Sequence, residues 1–305
     1  MPWLILLLLL LPYFAFASTR VVSACRKFYD NRLHGRRSLS RGGLLIALLL
    51  LPYLFAALPE ARENPAEFAG GLVRMMAYLF IPGLALLYRP AGRRPLDLFD
   101  LTAIIALWFP IEFDWLPDVP VQLLPGLSLP LPKLIGVDLA FLLFLVIRPA
   151  EGLGYSFRFT RNDVLRAVQA FGAFAVVGLP LGFAIRFIGL QPAPFDFGKW
   201  ALSFAGIYFL IGIPEELLFR GIIQNLIEQR WGRSWITLAA ASLVFGAAHL
   251  NNATTSYPAP NFAYMLMAAL AGAAYGWAWQ KSGKITSAAL THTLVDWVWG
   301  VILGG

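Results

Sequence analysis

Charge is scarce in this chain. Of 305 residues only 13% are Asp, Glu, Lys or Arg, while 59% are hydrophobic; soluble globular proteins carry roughly 25% charged residues. Such a surface mostly faces something that does not solvate charge. Cysteine is nearly absent too. Cys25 stands alone, which excludes an intrachain disulfide and any paired-cysteine zinc module. It lies in a basic segment with no second ligand-type residue nearby and reads as an inert thiol. Histidine occurs three times, as His34, His249 and His292. There is no HExxH, no GxSxG elbow and no glycine-rich phosphate loop. The zincin, nucleophile-elbow and P-loop signatures are thus absent. The net charge of +7 does not point to nucleic acid, because in a membrane protein basic excess reports cytoplasmic loops.

Apolar runs fill the space that charge leaves. A spanning helix needs about 20 apolar residues. Ten candidate runs lie near 2–18, 43–58, 68–88, 99–113, 132–147, 167–190, 199–218, 235–250, 262–280 and 286–303. The fourth and fifth are weak and flank a Pro/Leu-rich stretch, 117–132, suited to a re-entrant or interfacial position. The expected fold is therefore all-α, a polytopic transmembrane bundle of about 8–10 spans. No Lys or Arg precedes the first run, and Arg20, Arg26, Lys27, Arg32, Arg36, Arg37 and Arg41 follow it. This predicts an uncleaved first span with a non-cytoplasmic N-terminus, despite the small-residue triplet Ala15-Phe16-Ala17. With 19–42 inside and sides alternating, the inside segments hold eighteen basic residues and the outside ones three, Arg62, Lys133 and Lys199. That asymmetry is what the positive-inside rule expects, and the 19–42 segment would touch anionic lipid. We expect an integral, multi-pass protein of a bacterial plasma membrane, with lipid as partner and no nucleic acid; oligomeric state is not legible.

Residues 149–166 form the longest polar stretch of the second half. The predicted organisation is an N-terminal transmembrane region, 1–148, a cytoplasmic connector, 149–166, and a C-terminal transmembrane domain, 167–305. Thr160 or Asn162 would cap the helix that follows. Arg74, Asp138 and Arg186 lie in or at the ends of spans, where snorkelling or local pairing is expected. His34 sits in the basic loop and reads as solvated.

Ionisable side chains within spans are functional candidates by default, and the C-terminal group concentrates them. One run contains Pro214-Glu215-Glu216-Leu217-Leu218-Phe219-Arg220, the next Phe245-Gly246-Ala247-Ala248-His249, and the last His292-Thr293-Leu294-Val295-Asp296. Glu216 and Arg220 are i,i+4 and can pair on one helix face. Glu215 points about 100° away, so one carboxylate can be held while the other faces a cavity. His292 and Asp296 are again i,i+4. Phe245 lies one turn before His249. Pro214 removes a backbone hydrogen bond just before the glutamates. Peptide hydrolysis needs such groups: a carboxylate base for water, a histidine to hold the water or a metal, and donors for the oxyanion.

The order EExxxR, FxxxH, then HxxxN or HxxxD on successive apolar helices resembles the CPBP family. These are the CAAX-protease and bacteriocin-processing intramembrane peptidases, also called the Abi family, and the match covers roughly residues 199–303. The resemblance implies Glu215 as general base, His249 as the residue that positions water or binds a metal, His292 and Asp296 on the oxyanion side, and Glu216 and Arg220 as supports. Asp296 stands where the prenyl-protein endopeptidases have asparagine. An ionised aspartate only accepts hydrogen bonds, so it would be protonated, orient His292 or ligate a metal. Glu215, His249 and His292 are residue types found around a divalent metal such as zinc.

The expected function is an intramembrane endopeptidase, metallo- or glutamate-dependent, acting on a peptide or membrane-protein substrate. Two alternatives stand beside it: a non-proteolytic scaffold or immunity-type protein of the same fold, and a proton-coupled transporter. Along straight helices Glu215, His249 and His292 fall at different depths, so the helices must tilt or shift by about a turn for these groups to meet.

Overall fold

The computed structural model describes residues 2–29, 36–124, 127–254 and 256–303, and His34 falls outside them. The chain divides into two compact units, Met1–Glu151 and Gly152–Gly305.

The first unit is helical. It comprises α1 (Pro2–Ala15), α2 (Thr19–Tyr29), α3 (Arg36–Leu48), α4 (Leu51–Glu63), α5 (Pro65–Leu87), α6 (Leu98–Glu112) and α7 (Leu131–Phe141), which widens into π-helical turns over Leu142–Ile147. A short antiparallel hairpin, β1 (Val121–Leu124) and β2 (Leu127–Leu129), pairs Val121 with Leu129. It occupies the Pro/Leu-rich stretch expected to be re-entrant or interfacial. The basic 19–42 segment, expected as a loop, is helical over Thr19–Tyr29, bent by 96° from α1. Arg26 Nε there donates to the Leu145 carbonyl at 2.6 Å. Arg74 pairs locally, donating to the Trp115 carbonyl at 3.1 Å. Asp138 is buried, and its Oδ1 has no hydrogen-bond partner among the described residues.

The second unit comprises α8 (Arg161–Ala184), α9 (Phe197–Trp231), α10 (Trp235–Ala247), α11 (Phe262–Ser282) and α12 (Ile285–Ile302). Thr160 caps α8 in a capping box with Asp163, so a side chain answers the free N–H groups of the first turn. Lys284 ties that cap to the start of α12, reaching Asp163 Oδ2 at 2.6 Å. Gly283, at φ +70°, ends α11 in the left-handed conformation that glycine adopts without strain. The following α12 can then fold back against α11.

Long apolar runs did not all become long helices. Among the described residues, four helices are long and apolar enough to cross a membrane: α5, α8, α9 and α11. Counting the bent pairs α1–α2 and α3–α4 as one span each raises this to six, against the 8–10 expected. The physical reason is that runs break. The 43–58 run splits ahead of Pro52, with a 51° bend between α3 and α4. The 235–250 run ends as a helix at Ala247 after only 13 residues. The all-α, multi-span class holds.

Candidate active site

The site is built from α9, α10, α11 and α12. Helix α9 has 35 residues, which at 1.5 Å rise is ~50 Å, longer than a bilayer core. It is not a uniform α-helix. The turns Tyr208–Gly212 and Leu217–Gln224 are π-helical and flank a short α-helical stretch, Ile213–Glu216. Pro214 explains the first of these: it has no N–H to donate to the preceding turn, and a widened turn absorbs the missing bond. Gly212 brings this part of α9 close to α12; a Cβ there would lie 3.0 Å from the Ala289 carbonyl. The two glutamates are thus delivered against His292.

Glu216 is fully buried and bridges two partners. Its Oε2 lies 3.1 Å from Arg220 Nε, an ion pair rather than an aligned hydrogen bond. Its Oε1 lies 2.8 Å from His292 Nδ1. Arg220, 1% exposed, donates from Nη2 to the Gly272 carbonyl at 2.9 Å and stands 4.2 Å over the Phe245 ring. Position 272 is tight: a Cβ would lie 3.0 Å from both Arg220 Nη2 and the Phe245 ring. A carboxylate accepts only, so His292 carries a proton on Nδ1.

The other face of His292 is different. Nε2 lies 3.2 Å from Asp296 Oδ2 and 3.8 Å from Glu215 Oε2. The side chains of Glu215 and Asp296 are 25% and 26% exposed, against 0% for Glu216. Adjacent glutamates therefore have separate surroundings, one sealed in the brace and one open to a cavity. The Nε2–Asp296 contact needs one proton, held by the ring or by the carboxyl. Tyr275 stacks on His292, with centroids 4.5 Å apart and planes 14° from parallel, and Phe245 meets it edge-on at 5.9 Å.

His249 sits in the turn beyond α10, not inside an apolar helix as its run implied. Its Nδ1 is 2.8 Å from the Phe245 carbonyl. A carbonyl accepts, so Nδ1 donates and the neutral ring leaves Nε2 as an acceptor. Phe245 packs against the ring at 4.6 Å, as the spacing expected, and Tyr264 stacks on it at 5.1 Å. Glu215, Glu216, Arg220, His292 and Asp296 are in direct contact. His249 joins them through Phe245 and through a shared cavity of about 260 Å³, lined by Glu215, His249, Asn252, Tyr264, His292 and Asp296 among mostly apolar neighbours.

Among the described residues, no group of three or more His, Cys, Asp or Glu side chains is arranged to hold a metal ion. His292 commits Nδ1 to Glu216 and Nε2 to Asp296. Glu215, His249 and His292 are therefore not presented as a coordinating set.

Residues 197–298 match the family model for Rce1-like type II CAAX prenyl endopeptidases. This segment takes in every residue of the cluster. It supports a CAAX-type intramembrane endopeptidase in general, and the apolar helices fit an integral multi-pass membrane protein. No curated protein and no solved structure matches the chain.

The run at 262–280 was expected as a span, but no site residue was placed on it, although α11 supplies the Gly272 carbonyl, Tyr275 and Tyr264. Its signal was the spacing Ala268, Gly272, Gly276, a small-residue repeat that lets membrane helices approach closely.

Proposed function

We propose that the protein is a glutamate-dependent intramembrane endopeptidase in which Glu215 and His249 activate a water. The observation that carries this reading is that both line one cavity, with Glu215 open to it while Glu216 is spent on Arg220 and His292. Glu215 and His249 Nε2 are both acceptors. A water donating one hydrogen to each turns a lone pair outward, toward a scissile carbonyl. Attack forms the oxygen–carbon bond as a proton passes to Glu215. Collapse breaks the C–N bond, and Glu215 returns that proton to the leaving amine. His292 and Asp296 hold a further proton beside this path, and Glu216 and Arg220 fix the ring that carries it.

The test uses the full chain in proteoliposomes with two fluorogenic reporters, a farnesylated CAAX-ending peptide and an apolar membrane-tethered peptide. Glu215→Gln keeps shape and loses the base. It should fold normally, bind the reporter that the parent cleaves, and lose about 10²–10⁴-fold in kcat. Parental turnover by Glu215→Gln would remove this mechanism and turn attention to the scaffold reading.

A further inference from the structure

Among the residues named so far, the oxyanion has at most one donor to call on, the proton that His292 Nε2 and Asp296 share between them. Glu215 is an acceptor, and so is the Nε2 of neutral His249, whose Nδ1 proton is spent on the Phe245 carbonyl. His292 spends Nδ1 on Glu216 and faces Asp296 through Nε2. Asp296, when ionised, repels negative charge. Hydrolysis by an activated water builds charge on the carbonyl oxygen, and a site without donors there forgoes the largest usual contribution to such catalysis.

Four other side chains on the cavity wall can donate: Asn252, Tyr264, Tyr275 and Trp299. Tyr275 is 1% exposed and lies flat on His292, so it serves the ring. Trp299 packs edge-on against Tyr264 at 5.4 Å. Tyr264 is half-buried, stacks on His249 with planes 26° apart, and has the Asn252 side chain beside its hydroxyl. The loop that carries Asn252 is fastened in place. The side-chain amide of Asn261, itself 1% exposed, donates to the Asn252 carbonyl at 2.9 Å, and the Asn261 N–H donates to the Leu250 carbonyl at 2.7 Å. Two donors are thus held next to the histidine that positions the water.

We propose that Tyr264 Oη–H and the Asn252 side-chain amide are the oxyanion donors of this site, since the single proton between His292 and Asp296 is held in their mutual contact. The proposal rests on the endopeptidase reading above. Donors act on charge that exists only in the transition state, so their loss lowers kcat and spares KM.

The experiment measures kcat and KM of the full chain in proteoliposomes, on whichever of the two reporters the parent cleaves. Tyr264→Phe should lower kcat by about 10²–10³-fold with KM within about twofold, while Tyr275→Phe, which keeps its stack, changes kcat far less. Asn252→Asp, which replaces a donor with an acceptor, should cost more than Asn252→Ala and provides a second reading if Tyr264→Phe folds poorly. In an Asp296→Asn background, which restores an amide donor, the Tyr264→Phe penalty should shrink at least about tenfold, the non-additivity expected of groups sharing one task. Parental kcat for both Tyr264→Phe and Asn252→Asp would overturn the proposal. If Glu215→Gln is inert while those two turn over normally, only the donor assignment fails. If Glu215→Gln is also fully active, the endopeptidase mechanism itself fails.

Discussion

His292 Nδ1 stands 2.8 Å from Glu216 Oε1, across 76 residues of chain, and Glu216 in turn lies 3.1 Å from Arg220. The imidazole is thereby held at one nitrogen by a buried ion pair and on one face by Tyr275. It cannot turn without breaking a charge-assisted bond in a water-poor place. Glu216 and Arg220 thus aim His292 and do not themselves reach the cavity, since neither lines it.

Removing Arg220 should therefore damage the fold before the chemistry. Arg220→Ala takes the arginine from Glu216 Oε2 and leaves His292 as its remaining partner, where the ion pair's side chains are at most 2% exposed, and breaking a buried pair costs roughly 3–5 kcal/mol. Arg220→Lys should recover only part of this, because it loses the bond to the Gly272 carbonyl and the stacking on Phe245. Thermal unfolding in detergent reads the effect. An Arg220→Ala chain that melts like the parent would show that the pair carries no stability.

The crossing of α10 and α11 depends on Gly246. A Cβ there would lie 2.5 Å from the Met265 carbonyl, which is backbone and cannot swing aside. Gly246→Ala should cost about 1–3 kcal/mol through overpacking, and should displace His249 one turn away and lower kcat. Gly206→Ala is the matched control. Nothing lies within 4 Å of its Cβ, and in a helix that change should be neutral or stabilise by about 0.4–1 kcal/mol. Equal melting temperatures for the two variants would contradict the close approach.

Helix α5, with 23 residues, separates Arg62 from Arg93. The charge bias predicts Arg93 on the cytoplasmic side and Arg62 opposite. In a Cys25→Ser background, single cysteines at positions 62 and 93 should react with a membrane-impermeant maleimide from opposite sides of oriented vesicles. Labelling of both from one side would refute the assigned orientation of this unit.

Local relationships were legible because they follow from helical geometry. Glu216 and Arg220 face each other because they are four residues apart, and Glu215 escapes that pair because it is one residue away. Thr160 caps α8 because a hydroxyl before an apolar run can answer free N–H groups. Phe245 packs on His249 for the same reason of spacing. The motifs in EExxxR, FxxxH and HxxxD order named the residues of the cluster without saying how they meet.

How helices distant in sequence meet is a matter of packing that a single helix does not encode. Periodicity says which residues share a face of one helix and nothing about which other helix fills that face. So Glu216 on His292, the Gly272 carbonyl on Arg220, and Tyr264 and Tyr275 against the two histidines had no sequence signal beyond small residues along α11. Fewer described helices are long enough to span than there are apolar runs for a related reason: hydropathy measures the length of an apolar run, whereas a helix ends where its backbone bonds end, as at Ala247 and ahead of Pro52. Composition and periodicity specify an all-α membrane protein and the chemical groups of its site. The depth at which those groups meet was set by the π-helical turns around Pro214 and by the close approach of α9 to α12 at Gly212, because packing between surfaces, rather than the periodicity of either one, fixes their relative height.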